Sequence, residues 1–266
     1  MHSSNALRKQ IESDFEHRYP SVLTPAARTI REVAATGIAQ IDELLLGGLP
    51  VGAISEITGA ASSGRTSIVL AYLARRTQEG SVCAWVDVND SLDPESAAGN
   101  GINLKQLLWV RCGDASTEKS SAAVHNKPFN LKKPWTRIDQ AIRATDLLLQ
   151  AGGFAAIALD LADEEIEHGH GRRIPLATWF RFRQACDRTQ CTLIVLSKAA
   201  YAQSSAAVVV ECQPDRITDA GGTVIRCFSY RAQRGRVRFS PLTNVSRKPP
   251  DSTWSSQAAW NPEKRA

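Results

Sequence analysis

The chain has 266 residues, of which 43% are hydrophobic and 22% charged, with a net charge of +5. That length supports one mid-sized domain plus tails, and the apolar fraction excludes a disordered chain. No apolar run approaches the roughly 18 residues of a membrane span, and the opening Met1-His-Ser-Ser-Asn-Ala-Leu-Arg-Lys-Gln lacks the apolar stretch of a secretory signal, so membrane and secreted classes are set aside.

In chain order, residues 1–18 hold an amphipathic docking helix, with Leu7, Ile11 and Phe15 repeating every four residues over 5–17. Such a helix cannot bury its own stripe and must dock on the main domain or on a second copy. A linker over 19–35 follows, and a core over 36–243. Within the core, Gly37 to Leu46 reads as a helix ending in Gly47-Gly48, Gly52 to Thr58 as a strand, and Thr66 to Gln78 as a helix. Val82 to Val88 and Leu107 to Cys112 read as strands, Arg137 to Gln150 as a helix, and Phe154 to Asp160 as a strand. Leu176 to Arg188 reads as a helix and Cys191 to Ser197 as a strand. Near-continuous apolar strands alternating with helices imply an α/β fold, a mostly parallel sheet flanked by helices.

After Ser197 the helices stop. Ala206 to Gln213, Thr223 to Tyr230 and Gly235 to Phe239 read as antiparallel strands at the C-terminal edge of the sheet. The Ser-, Lys- and Pro-rich stretch 114–136 reads as an irregular insertion, and 244–266 as a disordered tail. Trp254 and Trp260 are unusual for such a tail and suit either a partner's surface or the chain's own domain. The six cysteines form no CxxC pair and have no zinc spacing with His125, His168 or His170, so no metal site is expected and the thiols read as buried and reduced.

The chemistry-bearing motif is Gly59-Ala-Ala-Ser62-Ser63-Gly64-Arg65-Thr66-Ser67, placed between a strand and a helix. This has the spacing of a P-loop, whose glycines let backbone N–H groups close around phosphates at a helix N-terminus. The lysine position holds arginine, which keeps the charge but is longer and planar. Thr66 stands where a hydroxyl would ligate Mg2+, and Asp160 ends its apolar strand as a Walker B-like carboxylate.

The segment GIAQIDELLLGGLPVGAISEITGAASSGRTS resembles the approach to the ATP-binding loop of the RecA family, including the Gly47 to Pro50 turn and the strand ending Glu56-Ile57. CAWVDVNDSLDP resembles the next RecA strand down to Leu92-Asp93-Pro94. The similarity spans about residues 36 to 240, and the helix at 5–17 resembles RecA's polymerisation helix, which implies a homo-oligomer formed through it. In length the chain is nearer the short relatives, the ImuA and SulA-like group. The resemblance implies a RecA-like P-loop core. It places Arg65 at the P-loop lysine, Asn89 at the catalytic glutamate, Lys198 at the γ-phosphate-sensing glutamine and Asp93 at an adenine contact. Neither Asn89 nor the outward-pointing Asp90 supplies a base, so no catalytic residue is expected, and ATP or ADP with Mg2+ is bound weakly or not at all. The loop that follows the sensing position is short, Ala199 to Ser205.

Arg231, Arg234, Arg236 and Arg238 lie in a stretch without acidic residues. Alternation of Arg234, Arg236 and Arg238 would give a strand a basic ridge suited to single-stranded DNA, or to protecting a sheet edge. The resemblance implies a cytoplasmic, nucleoid-associated bacterial accessory protein of the DNA-damage (SOS) response and translesion synthesis, without ATP hydrolysis. Its partners would be a RecA filament or an ImuB-like polymerase adaptor. The alternatives are an active RecA-type DNA-dependent ATPase or recombinase, and a SulA-like cell-division inhibitor.

Overall fold

The structure is a computed structural model describing residues 31–113, 136–161, 174–219, 225–237 and 251–257; within the last strands, the side chains of 217–219, 225, 226, 236, 237, 256 and 257 lie outside that description. The docking helix, most of the 114–136 insertion and the His168–His170 loop fall outside the described residues.

The strands are β1 (Val33–Ala34), β2 (Leu49–Pro50), β3 (Ile54–Gly59), β4 (Cys83–Asp87), β5 (Leu107–Arg111), β6 (Ala156–Asp160), β7 (Thr192–Ser197), β8 (Ala206–Asp219), β9 (Ile225–Val237) and β10 (Asp251–Gln257). The helices are α1 (Ala39–Leu44), α2 (Arg65–Gln78), α3 (Pro94–Gly99), α4 (Arg137–Ala151) and α5 (Leu176–Thr189). Eight strands form one sheet in the order β10-β9-β8-β3-β7-β6-β4-β5. From β8 to β5 every pairing is parallel, while β8–β9 and β9–β10 are antiparallel. The expected α/β class and its antiparallel C-terminal edge are both present.

Alternation along the buried strands sends side chains to two cores. Ile57, Trp85, Ala158 and Ile194 meet α1 and α2 through Ile41, Leu44, Ile68 and Leu73 on one face. Ile54, Val86, Ile157 and Leu193 meet α4 and α5 through Ala141, Leu149, Trp179 and Phe182 on the other, where Trp179 and Phe182 pack edge to face. Local sequence sets the helix starts. Thr136 and Asp139 form a reciprocal capping box on α4, and Asp93 accepts from Glu95 N and Ser96 N at the start of α3. The turn after α1 needs glycine at position 48, where φ is 132° and a Cβ would lie 2.0 Å from the Ala34 carbonyl oxygen.

Three expectations about extent are corrected. The core begins before residue 36, because β1 pairs with β2 and the Arg31 guanidinium donates to Gly52 O at 2.8 Å and bridges Asp187 at 2.7 Å. The two short strands expected over 223–239 are one long strand, β9, which bulges in its pairing with β8. The tail is not disordered over 251–257: β10 pairs with β9 in unbroken register, and Trp254 is 4% exposed. A tryptophan packed in the core outweighs the turn-forming composition around it.

Candidate functional site

Parallel strands of this sheet end together, and the residues that follow them meet at one edge. The registers Thr58↔Ser197, Asp160↔Leu196 and Asp87↔Asp160 align the C-terminal ends of β3, β7, β6 and β4. The sheet therefore brings the loop 59–66, Lys198, Asp160 and the 88–93 segment to the same end of the molecule.

The loop has the backbone form of a phosphate cradle. Gly59 and Gly64 hold φ values of 154° and 84°, Ser62 holds 59°, and α2 begins at Arg65. Ser63 is fully buried, Ser62 and Thr66 are exposed, and Ser67 is half-buried. Gly64 also fixes what lies beneath: a Cβ there would meet Tyr230 Cγ at 2.7 Å and Trp254 Cζ2 at 2.8 Å. The two rings are tilted against each other at 5.2 Å, so strands β9 and β10 brace the loop from the core.

Arg65 is the residue that sets this loop apart. Its side chain is 6% exposed, and Nη1 donates to Gly59 O, the first carbonyl of the loop itself, and to Ser197 O at 3.3 Å. The guanidinium thus lies between the loop and the end of β7, satisfying backbone carbonyls of the protein.

Asp160, 5% exposed, accepts from Ser91 Oγ at 3.2 Å. Asp87, which the sequence reading did not single out, organises the neighbouring segment. It is fully buried and accepts from Ser91 N (3.0 Å), Leu92 N (2.9 Å) and Trp109 Nε1 (3.1 Å). A strand-end Asp after CAWV carried the same signal that singled out Asp160. Asn89 is half-buried in the segment that Asp87 holds. Asp90 points outward at φ 58° into a two-pronged contact with Arg111, whose guanidinium also sits 4.9 Å over the Trp109 ring. That guanidinium holds the Asp90 carboxyl below the ordinary carboxylate value. Asp93, expected at an adenine contact, is exposed and has both carboxylate oxygens engaged in capping α3. Lys198 is exposed at the end of β7.

The residues present fit a phosphate group. The cradle of N–H groups, the exposed Thr66 hydroxyl and Asp160 are what phosphates and Mg2+ would need. Asn89 carries an amide just past the end of β4, and the Arg65 guanidinium faces the carbonyls of Gly59 and Ser197.

The basic ridge needs correction. Inward-facing residues on β9 are Tyr230, Ala232 and Arg234, at 9%, 0% and 5% exposure. Arg234 donates from Nη1 to Leu44 O at 3.0 Å, supplying a donor to the last turn of α1, and burial lowers its pKa. Arg231 faces outward and contacts Asp215 at 3.4 Å. The Arg236 side chain and all of Arg238 fall outside the described residues.

A family profile described as the RecA N-terminal domain matches residues 3–122. Protein RecA of Ruegeria pomeroyi is 33% identical over 130 residues, which is 48% of this chain and 31% of that protein. Protein RecA of Cereibacter sphaeroides is 39% identical over 103 residues, 38% of this chain and 30% of that protein. The chain therefore spans about a third of the length of these curated relatives. Among solved structures, one titled as the crystal structure of the RadB recombinase aligns with a TM-score of 0.54 at 17% identity, covering 82% of this chain and 93% of that one. At that identity the likeness concerns the fold.

Proposed function

We propose that this chain, a RecA-like protein, is an accessory factor of bacterial DNA repair that keeps the phosphate loop of its family as a folded scaffold and does not hydrolyse ATP. The observation that carries the reading is the Arg65 guanidinium, buried and bonded to Gly59 O and Ser197 O. In a working loop the cation at this position faces the terminal phosphates. Here turning it toward them would leave two carbonyls at the sheet end without that donor. Asn89 supports the same reading, because an amide cannot take a proton from water near neutral pH. Loss of a general base alone lowers a rate by about 10²–10⁴.

Members of the RecA family bind ATP with Mg2+. If nucleotide enters this loop, the backbone of Ser62 to Thr66 would hold its phosphates, and Thr66 with Asp160 would hold Mg2+, which would supply charge neutralisation. Weak binding of ATP at most, without turnover, is the behaviour these residues support.

The role follows in the same terms. A RecA-like fold without turnover acts through its surfaces, in the DNA-damage response and translesion synthesis, by binding a RecA filament or an ImuB-like polymerase adaptor, with single-stranded DNA nearby through Arg231. Purified chain titrated onto preformed RecA–DNA filaments, with phosphate release followed in parallel, tests both halves. Binding with no added turnover is the expected result. Turnover by the isolated chain that Arg65→Ala removes would instead favour the active ATPase.

A further inference from the structure

Strand β3 carries a carboxylate among aliphatic neighbours. Glu56 is fully buried and reaches the side of the sheet where Tyr201 and Ala202 pack against the α4–α5 core. Its Oε1 accepts from two consecutive backbone amides, Tyr201 N at 2.6 Å and Ala202 N at 2.8 Å. A buried carboxylate persists only where donors replace its water, and charge-assisted bonds of this length are strong ones. These donors belong to a short segment. Ser197 ends β7, Ser205 N bonds Ala202 O at 2.8 Å to close a single 3-10 turn, and Gln203 within it holds a φ of 45°. Ala200, Gln203 and Ser204 of the segment, together with Glu56, Val209 and Glu211, wall a cavity of about 810 Å3.

We propose that Glu56 is a latch. Its carboxylate holds residues 199–205 against the sheet as the fixed wall of that cavity, and the segment swings away when the carboxylate loses its amides or gains water. The two states are discrete. In the closed one Oε1 is bonded to Tyr201 N and Ala202 N, and in the open one it must be hydrated through the widened cavity. Glu56 acts here as a positioning residue, from the same strand that leads into the phosphate loop.

Hydrogen exchange of the full-length chain, read by mass spectrometry on peptides covering 198–206, tests the latch. Glu56→Ala is expected to raise exchange there by about 100-fold while peptides of β3, β7 and α2 keep their wild-type protection. Glu56→Gln, whose carbonyl still accepts, is expected to recover most of that protection. Ala202→Pro approaches from the other partner. The native φ of −74° suits proline, which at a neutral position would stabilise the chain, so faster exchange in this variant reports the lost N–H donor. If the first variant fails to fold, the other two decide. Unchanged exchange of 198–206 in the variants that fold would overturn the latch, as would a uniform rise across β3 and β7, which would make Glu56 an ordinary core residue.

Discussion

Gly64→Ala tests whether strands β9 and β10 are part of the phosphate-loop unit. The native φ of 84° is left-handed, which costs an alanine about 1 kcal/mol. The new methyl would then lie 2.7 Å from Tyr230 Cγ and 2.8 Å from Trp254 Cζ2, closer than carbon atoms approach. Both rings are buried. Tyr230 is 9% and Trp254 4% exposed, and Phe228 stacks on Tyr230 at 6.4 Å. Overpacking of this kind costs about 1–3 kcal/mol, so the whole substitution should destabilise by about 2–4 kcal/mol. For a chain of this size that lowers Tm by about 4–15 °C, readable by circular dichroism or calorimetry. The cycle with Trp254→Ala isolates the contact. With the indole gone, Gly64→Ala should keep its backbone share and the Tyr230 contact and lose only the Trp254 contact, leaving a coupling of about 1–2 kcal/mol between the two sites. A Tm within about 1 °C of wild type, or an equal penalty in both backgrounds, would refute the packing of β10 beneath the loop.

Arg234→Ala should lower stability by about 1–3 kcal/mol, because the Leu44 carbonyl loses a buried donor, whereas Arg231→Ala, on an exposed pair, should stay within about 0.5 kcal/mol; equal effects in urea titrations would contradict the inward placement of Arg234. Asp90 has a folded pKa held below its ordinary value of 3.8 by Arg111, so its contribution is present above that value and lost as pH falls through the folded one. The Tm difference between wild type and Asp90→Asn should therefore be present at neutral pH and vanish in acid, and a difference growing as pH falls would have the wrong sign. Burial pushes Cys186 and Cys212 up to about 12 and Cys83 and Cys112 up to about 11, while Cys227 is half-buried. A disulfide reagent at pH 8 should thus titrate Cys227 first, with the other thiols reacting only on unfolding, and fast reaction of all six would contradict the core.

Much of the fold was legible because its strands are buried on both faces. Runs such as Phe154 to Asp160 and Cys191 to Ser197 read as central strands by apolar continuity, and the loop at Gly59 to Thr66 is marked by spacing. The C-terminal edge was harder to read. The Asp251–Gln257 strand is Ser-rich and flanked by prolines, and only Trp254 hinted that it packs. Alternation of Arg234 with Arg236 and Arg238 suggested a shared face, and gave no sign that Arg234 would face inward. That choice is made by the carbonyl end of α1, almost two hundred positions away in the chain. Asp93 matched a family position, and its cap on the amides of Glu95 and Ser96 was a second role the motif did not announce. Glu56 read as an ordinary strand residue, because its partners are backbone amides that no linear motif encodes. Asp87 carried the strand-end signal of Asp160, but no motif marked its amide, indole and hydroxyl partners.

The most direct measurement of the central claim is phosphate release from ATP by the purified full-length chain, with Mg2+ and with and without single-stranded DNA, beside Arg65→Ala. The account predicts no release above buffer for either protein under either condition. DNA-stimulated release by the wild-type chain that disappears in Arg65→Ala would contradict it.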